Sequence, residues 1–236
     1  MLLAAGEGRR LGSLTINEPK PMLRVQGRPI LEHNLRLLAH YGIDEVVINL
    51  HHSPDVITDY FADGSAWDLQ LTYSYEEKLL GTAGAVKRMQ DFFDSTFLVL
   101  YGDNLTNCNL QALEEKHRAG SAAATVALFH REDVSASGVA VLDESDRIIR
   151  FIEKPKAEET PSHWVSAGVI MFEPEVMEFI PGDGPSDFGF DVLPKLIAQE
   201  RRVGGYRMTE SLWWIDTPEA FARVNSLAES GELNLI

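Results

Sequence analysis

Short apolar runs alternate along the chain with segments of helical periodicity, and this alternation limits the fold more than any other feature. Strands are predicted at 1–5, 46–50, 69–73 and 97–100, and PILEHNLRLLAHYG at 29–42 shows the spacing of a helix between two of them. Unbroken apolar runs are typical of parallel strands that are buried on both faces. The pattern therefore predicts an α/β fold with a parallel sheet covered by helices.

The rest of the chain adds helices and an antiparallel element. Helical periodicity and capping residues predict four further helices, at 53–61, 83–92, 110–119 and 191–199, the third of them capped by Asn109. The stretch GVAVLDESDRIIRFIEKP contains two β-rich runs around a polar turn, which predicts a hairpin. WVSAGVIMF, after the hairpin, predicts one more strand.

The length and net charge of the chain limit the classes of protein to which it can belong. The chain has 236 residues, 44% of them hydrophobic, and we expect a single domain over 1–236. A formal net charge of -15 repels nucleic-acid phosphates and anionic lipid surfaces, so neither nucleic acid nor a membrane is expected as a partner. No apolar run is long enough to span a bilayer.

A single cysteine, Cys108, excludes an internal disulfide. The sequence begins without the pattern of a secretory signal, so a reducing cytoplasm is the expected location. No basic residue lies close to Cys108 in sequence, and this favours a passive thiol over a nucleophile.

The segment LAAGEGRRLGSLTINEPKPM at 3–22 concentrates glycine and positive charge in an acidic chain. It follows the first predicted strand, at the carboxyl end where open α/β sheets bind ligands. Gly6 and Gly8 permit a turn whose backbone N–H groups converge on anionic oxygens, and Arg10 and Lys20 add charge. Ordinary turn glycines are the alternative. Lys20 lies between two prolines and is expected to face solvent.

The motifs of this segment resemble those of the sugar-1-phosphate nucleotidylyltransferases, especially their compact mannose, heptose or muramate types. LAAGEGRRLGSLT and EPKPM match the family signature, except that Ser13 replaces a usual proline. The likeness continues in the family's order through EEKLLGTAGAV, YGDN, FIEKP, WVSAGVIMF and WWIDTPEAF. It implies a Rossmann-like, mixed, mostly parallel sheet flanked by helices, with a β-hairpin insertion for the sugar site.

The resemblance also implies a reaction, in which a nucleoside triphosphate and a sugar-1-phosphate give a nucleotide-sugar and pyrophosphate. Such chemistry needs alignment and charge neutralisation more than a nucleophilic side chain. Arg10 would stabilise the leaving pyrophosphate, and Lys20 would bridge the α-phosphate and the sugar phosphate. The residues implied in nucleotide binding are Ala4, Ala5, Gly6, Gly8, Gly81 and Thr82.

Two aspartates are candidate ligands of Mg²⁺, the cofactor that the resemblance implies. Asp103 follows an apolar strand, and carboxylates are the oxygens that this cation prefers. Asp216 precedes Thr217 and Pro218, at the expected start of a helix. Considered without Asp103, it is as consistent with an accessory helix cap as with a metal ligand. Only the resemblance brings the two aspartates together.

The sugar phosphate is assigned to the hairpin and the strand after it. By resemblance, Glu153 accepts hydrogen bonds from sugar hydroxyls, Lys154 meets the phosphate, and Gly138 and Gly168 let the backbone approach. The alternatives are an exposed ion pair and strand glycines with packing roles. Ser166 and Ala167 replace an asparagine that several members carry.

Several alternatives stay open. A glycosyltransferase on a related fold and a non-catalytic nucleotide-sugar-binding homologue are the competing functions. Within the enzyme, the pairs are mannose-1-phosphate with GTP, glucose-1-phosphate with dTTP or UTP, and N-acetylmuramate-1-phosphate with UTP; a guanylyl or uridylyl transferase is weakly favoured. The adjacent pair of His51 and His52 favours a loop or pocket role over a metal site, since successive residues of an extended chain point in opposite directions. A homodimer is the default expectation.

Overall fold

A computed structural model describes residues 1–6, 8–16, 18–156 and 162–236. The chain divides into two compact units. The first unit comprises Met1–Leu79, Tyr101–Asn107 and Ser211–Ile236, and the second comprises Leu80–Leu100 and Cys108–Glu210. The single domain over 1–236 stays a prediction.

The described residues form strands in the following order: β1 (Leu2–Leu3), β2 (Arg24–Val25), β3 (Arg28–Pro29), β4 (Glu45–Leu50), β5 (Gln70–Tyr75), β6 (Phe97–Tyr101), β7 (Asn104–Thr106), β8 (Ala124–His130), β9 (Gly138–Leu142), β10 (Ile148–Glu153), β11 (Trp164–Phe172), β12 (Val203–Arg207) and β13 (Leu212–Trp214). The α-helices are α1 (Ile30–His40), α2 (Pro54–Phe61), α3 (Gly81–Arg88), α4 (Leu110–Gly120), α5 (Leu193–Ala198) and α6 (Pro218–Ser230). None of the helices in the described residues is both long and apolar enough to cross a membrane.

In the first unit, β1, β4 and β5 pair in parallel, and Asn49 of β4 lies opposite Leu3 on one side and Ser74 on the other. β4 is a buried apolar run after Glu45, as the sequence predicts for a parallel sheet, whereas Ser74 is the one buried residue of β5. β7 and β13 form a small antiparallel pair in the same unit. This pair brings the segments before Asn104 and after Trp214 to one place.

In the second unit, β11 is the central strand and pairs antiparallel with β6, β8 and β9. β12 pairs in parallel with β8, and β9 and β10 form the predicted hairpin. β11 spans Trp164–Phe172, as WVSAGVIMF predicts. The sequence patterns above do not predict β8 or β12, nor the short strands β2, β3, β7 and β13.

Each unit has its own core. In the first unit, eight buried apolar side chains cluster beneath the segments that carry Lys20 and Asp216: Leu11, Leu23, Val25, Ile30, Leu105, Ile215, Val224 and Leu233. In the second unit, four phenylalanine rings form a continuous row: Phe93, Phe97, Phe172 and Phe188. Rings at such spacing contribute beyond the area that they bury.

Several predicted boundaries shift by one or two residues. The predicted helix over 83–92 divides into α3 and a short 3-10 helix at Gln90–Phe92. The predicted helix over 191–199 consists of α5 preceded by a π-helical turn at Phe188–Val192. Asn109 caps α4 as predicted, because its side-chain Oδ1 accepts a hydrogen bond from the backbone N–H of Ala112 at 3.0 Å.

Candidate active site

Lys20 lies at the centre of the candidate site. Its Nζ donates hydrogen bonds of 2.8 Å to Oδ2 of Asp103 and to Oδ1 of Asp216. Only 5% of the lysine side chain is exposed, so the expectation that it faces solvent is wrong. The sequence could not show this, because the two aspartates converge only through the fold. Arg10 adds a second cation, with Nη2 at 3.3 Å from Oδ2 of Asp216.

The two carboxylates determine the charge state of this lysine. Burial alone lowers the pKa of Lys20, but the negative charges of Asp103 and Asp216 and their hydrogen bonds outweigh it, and the pKa is raised. Lys20 is therefore held as a cation. Its backbone is fixed by a 3-10 helix at Lys20–Met22 that follows an extended Pro19.

The glycine segment before Lys20 packs closely on it. Gly8 has a φ of +63°, and a Cβ at this position would lie 3.0 Å from the Cβ of Lys20. The carbonyl of Gly8 accepts from the N–H of Leu11 at 2.9 Å and from the hydroxyl of Thr15 at 3.1 Å. A glycine is thus favoured at position 8, because its φ is positive and because Lys20 lies close to the place of a Cβ. Gly6 is exposed, with open space where a side chain would be; Glu7 lies outside the described residues.

Asn49 and Glu76 support the start of this loop, and neither was predicted from the sequence. Oδ1 of Asn49 accepts from the backbone N–H of Ala4 at 2.8 Å, and Nδ2 of Asn49 donates to Oε1 of Glu76 at 2.8 Å. Both side chains are buried. Because β1 ends at Leu3, the asparagine satisfies the next N–H where the chain leaves the sheet. A polar residue at the last positions of an apolar strand, in VVINL, is the signal that could have found it.

Asp103 lies between β6 and β7, and Asp216 lies directly after β13. Thr217 caps α6, with Oγ1 accepting from the N–H of Ala220 at 3.2 Å, and Pro218 is the first helical residue. The capping role is therefore filled by Thr217, which leaves the carboxylate of Asp216 directed at Lys20 and Arg10.

The donor set fits a hard cation that is shared with substrate. Two carboxylate oxygens already hold one ammonium nitrogen at 2.8 Å each. Among the described residues, no group of three or more His, Cys, Asp or Glu could hold a metal ion by itself. A pair of carboxylates completed by substrate phosphates and water is the usual arrangement for Mg²⁺.

In the second unit, Gly81 and Thr82 have structural roles. Gly81 has a φ of +72°, and a Cβ there would lie 2.5 Å from the carbonyl oxygen of Ser186. The Thr82 hydroxyl donates to Oδ1 of Asp187 at 3.0 Å and accepts from the N–H of Phe188 at 2.9 Å. The nucleotide-binding role of Gly81 and Thr82 stays a prediction.

Glu153 ends β10 opposite Gly138 of β9. A Cβ on Gly138 would lie 2.5 Å from Oε2 of Glu153 and 2.6 Å from the ring of Phe151, so this glycine makes room for the carboxylate. Burial raises the pKa of Glu153, the nearby Lys154 lowers it, and Asp187 raises it; the net effect is upward. A carboxylate that is partly removed from water is a strong acceptor for hydroxyl groups.

Lys154 and Gly168 both have unusual backbones. Lys154 is exposed and has a φ of +49°, which is uncommon for a residue with a side chain. Gly168 has a φ of +73° and lies where the pairing of β11 with β8 shifts register between Ser166 and Ile170. Irregularities of this kind recur beside functional sites.

The surroundings of Cys108 and of His51 bear on two further candidate residues. Burial, and then the charge of Glu210, raise the pKa of the Cys108 thiol well above its usual range, in agreement with a passive thiol. His51 Nδ1 lies 2.7 Å from the backbone carbonyl oxygen of Glu76, which engages one ring nitrogen with the chain itself.

The fold is α/β, and the candidate site joins the cations of Lys20 and Arg10 to two carboxylates. The chain belongs to the nucleotidyl transferase family, whose model matches residues 1–230. The resemblance inferred from the motifs is therefore confirmed.

Curated relatives cover nearly the whole chain. A UTP–glucose-1-phosphate uridylyltransferase of Synechocystis sp. is 37% identical over 92% of this chain and 59% of its own length. A mannose-1-phosphate guanylyltransferase of Mycobacterium tuberculosis is 36% identical over 94% of this chain and 62% of its own length. A probable glucose-1-phosphate cytidylyltransferase of Bacillus subtilis is 29% identical, over 98% of this chain and 96% of its own length. The chain thus spans less than two thirds of the first two relatives.

Solved structures show the same fold. A Bacillus anthracis protein provisionally assigned as a glucose-1-phosphate thymidylyltransferase, in complex with a sucrose, superposes with a TM-score of 0.86 at 23% identity, covering 100% of this chain and 96% of that one. An apo UDP-glucose pyrophosphorylase gives a TM-score of 0.84 at 18% identity, covering 98% of both chains. The predicted fold class, a mixed, mostly parallel sheet flanked by helices, is confirmed.

Proposed function

We propose that the chain transfers a nucleotidyl group from a nucleoside triphosphate to a sugar-1-phosphate and releases pyrophosphate. The observation that carries the proposal is the buried Lys20, held at 2.8 Å by both Asp103 and Asp216. The same family includes the relatives named above, each of which acts on a sugar-1-phosphate by its name. Phosphoryl transfer requires that the negative charge of the phosphates be neutralised and that the reacting groups be aligned. A lysine cation beside two carboxylates that could hold a metal ion suits such a reaction.

The side chains act by position and charge. A phosphate oxygen of the sugar-1-phosphate attacks the α-phosphorus, and the bond to the β-phosphate breaks, so pyrophosphate leaves with its electron pair. Arg10, whose side chain is 66% exposed, can reach the departing phosphates. Lys20 neutralises the α-phosphate and the incoming phosphate. In the second unit, Glu153 would accept from sugar hydroxyls and Lys154 would contact the sugar phosphate.

Asp103 and Asp216 would hold Mg²⁺. When bound there, the ion supplies Lewis-acid charge to phosphate oxygens. Each aspartate would supply a carboxylate oxygen to the ion, and the loss of either carboxylate would remove a protein ligand.

The base and the sugar are part of the proposal. From the names of the Synechocystis and Mycobacterium tuberculosis relatives, we infer that UTP with glucose-1-phosphate and GTP with mannose-1-phosphate are the first pairs to test. The cytoplasmic location and the homodimer stay predictions.

The test is pyrophosphate release from five nucleoside triphosphates (ATP, GTP, CTP, UTP and dTTP) with a panel of sugar-1-phosphates, in the presence of Mg²⁺ and then of a chelator. We expect release that requires one base, one sugar-1-phosphate and the cation. Lys116→Ala is the matched control for Lys20→Ala, because Lys116 also pairs with an aspartate, Asp146, at 2.9 Å, and neither residue is assigned to the candidate site. Nucleotide-sugar binding by folded protein without pyrophosphate release from any pair would instead support the non-catalytic homologue.

A further inference from the structure

The segment Ser186–Val192 has a geometry that the proposed function does not explain. The carbonyl of Asp187 accepts from the N–H of Asp191 at 2.9 Å and from the N–H of Val192 at 3.3 Å. This double acceptance widens the turn into the π-helix at Phe188–Val192. Single π-helical turns are rare and occur frequently at functional sites.

Both ends of this segment are anchored in the second unit. The buried ring of Phe188 stacks on Phe172 with centroids 4.6 Å apart, and its backbone N–H donates to Oγ1 of Thr82 at 2.9 Å. Gly189 lies against Glu153, whose carboxylate would collide with any Cβ at that position. The segment therefore connects the predicted nucleotide residue Thr82 with the predicted sugar residue Glu153.

Phe190 is the next residue, and it is left 56% exposed. The ammonium of Lys154 lies 5.6 Å from the centroid of its ring, within the range of a cation–π contact. A singly exposed phenylalanine is ordinary on a protein surface. This one is distinguished by its neighbours, because it adjoins a partly buried carboxylate and a lysine with a left-handed backbone.

We propose that Phe190 forms the apolar wall of the sugar-1-phosphate site, with Glu153 and Lys154 as its polar groups. A pyranose has an apolar face of C–H groups and a polar rim of hydroxyls, and an aromatic ring beside a carboxylate matches both. When the sugar-1-phosphate binds, the ammonium of Lys154 would contact the phosphate at C1 instead of the ring of Phe190. The face of that ring would then contact the sugar. Phe190 is thus a specificity-determining residue for the sugar.

This inference rests on the proposed function, and the experiment separates the two. Initial rates are measured for the wild type, Phe190→Ala, Phe190→Tyr and Ile149→Ala. Ile149 is a control because it is 51% exposed and lies at the opposite end of β10 from Glu153. For Phe190→Ala, we expect the KM of the sugar-1-phosphate to rise about fivefold or more, while the KM of the triphosphate stays within about twofold. Phe190→Tyr and Ile149→Ala should resemble the wild type.

Direct titration of the same proteins with glucose-1-phosphate and mannose-1-phosphate completes the test. If the wild type releases no pyrophosphate but binds a sugar-1-phosphate more tightly than Phe190→Ala does, the proposed reaction fails and the wall is supported. An unchanged KM and an unchanged affinity in Phe190→Ala overturn the inference, and so does a change only in oligomeric state on gel filtration. The absence of binding to the wild type also overturns it.

Discussion

The ammonium of Lys20 and the carboxylate of Asp103 are 2.8 Å apart, although 83 residues separate them in the chain. Asp216 completes the arrangement from the other side, 196 residues from Lys20. The ammonium of Lys20 thus bridges the two carboxylates that are proposed to hold a divalent cation. Its removal should therefore affect stability as well as turnover.

Lys20→Met should lower turnover about 100-fold or more, because a buried cation is lost beside the reacting phosphates. It should also destabilise the fold by about 1–3 kcal/mol, since two carboxylates are left facing each other, partly exposed to water. Thermal melting checks this, with Lys116→Met as the control. Added Mg²⁺ should stabilise Lys20→Met more than the wild type, because no ammonium then neutralises the two carboxylates, and equal stabilisation of the two would argue against cation binding by Asp103 and Asp216.

Asp216→Asn and Thr217→Ala should separate the two roles that the sequence left open at this position. Thr217 caps α6, so Thr217→Ala should cost about 1 kcal/mol of stability and leave the Mg²⁺ dependence of the rate unchanged. Asp216→Asn keeps that cap, and it should raise the Mg²⁺ concentration needed for half-maximal rate. Mg²⁺ titrations of activity and melting curves measure both effects. The opposite pattern would assign the cap to Asp216.

Asn49→Asp should destabilise the protein by about 2–3 kcal/mol, because it removes the donor to Glu76 and places two buried carboxylates together. The KM of the triphosphate should rise, since repulsion from Glu76 displaces the side chain that accepts from the N–H of Ala4. The double variant Asn49→Asp with Glu76→Gln restores a donor–acceptor pair and should recover most of the stability. Denaturant unfolding and nucleotide kinetics check this. No recovery in the double variant would mean that the hydrogen bond does not position the loop.

Glu153→Gln should make the protein more stable at pH 7 while weakening sugar-1-phosphate binding. Burial raises the pKa of Glu153 in the folded state, so the folded protein favours the protonated form. The contribution of this carboxyl group to the free energy of unfolding is fully present below the pKa that it has in the unfolded state. It is lost as the pH rises through the pKa of the folded state. The stability gain of the variant should therefore appear near neutral pH and vanish near pH 4. Melting curves across this range measure it, and a gain of equal size at both pH values would exclude titration of Glu153 as its cause.

The local elements could be predicted from sequence because their signals are local. The strand WVSAGVIMF, the caps Asn109 and Thr217, and the hairpin that ends at Glu153 all depend on residues close together in the chain. β8 and β12 were not predicted, because β12 contains two glycines and neither strand is flanked by a polar turn like the one that indicates the hairpin. The π-helical turn was missed because nearly the same residues give an ordinary helical pattern.

The sequence by itself determined the family, the fold class and the segments that carry the candidate residues, because motifs and periodicity survive as linear patterns. Only the tertiary structure decided that Lys20 is buried, that Asn49 holds the N–H of Ala4, and that Gly138 makes room for Glu153. Each of these facts is a contact between residues that are distant in the chain. The burial of a side chain and the balance of its charge depend on residues from distant parts of the chain, so neither can be inferred from one local sequence pattern.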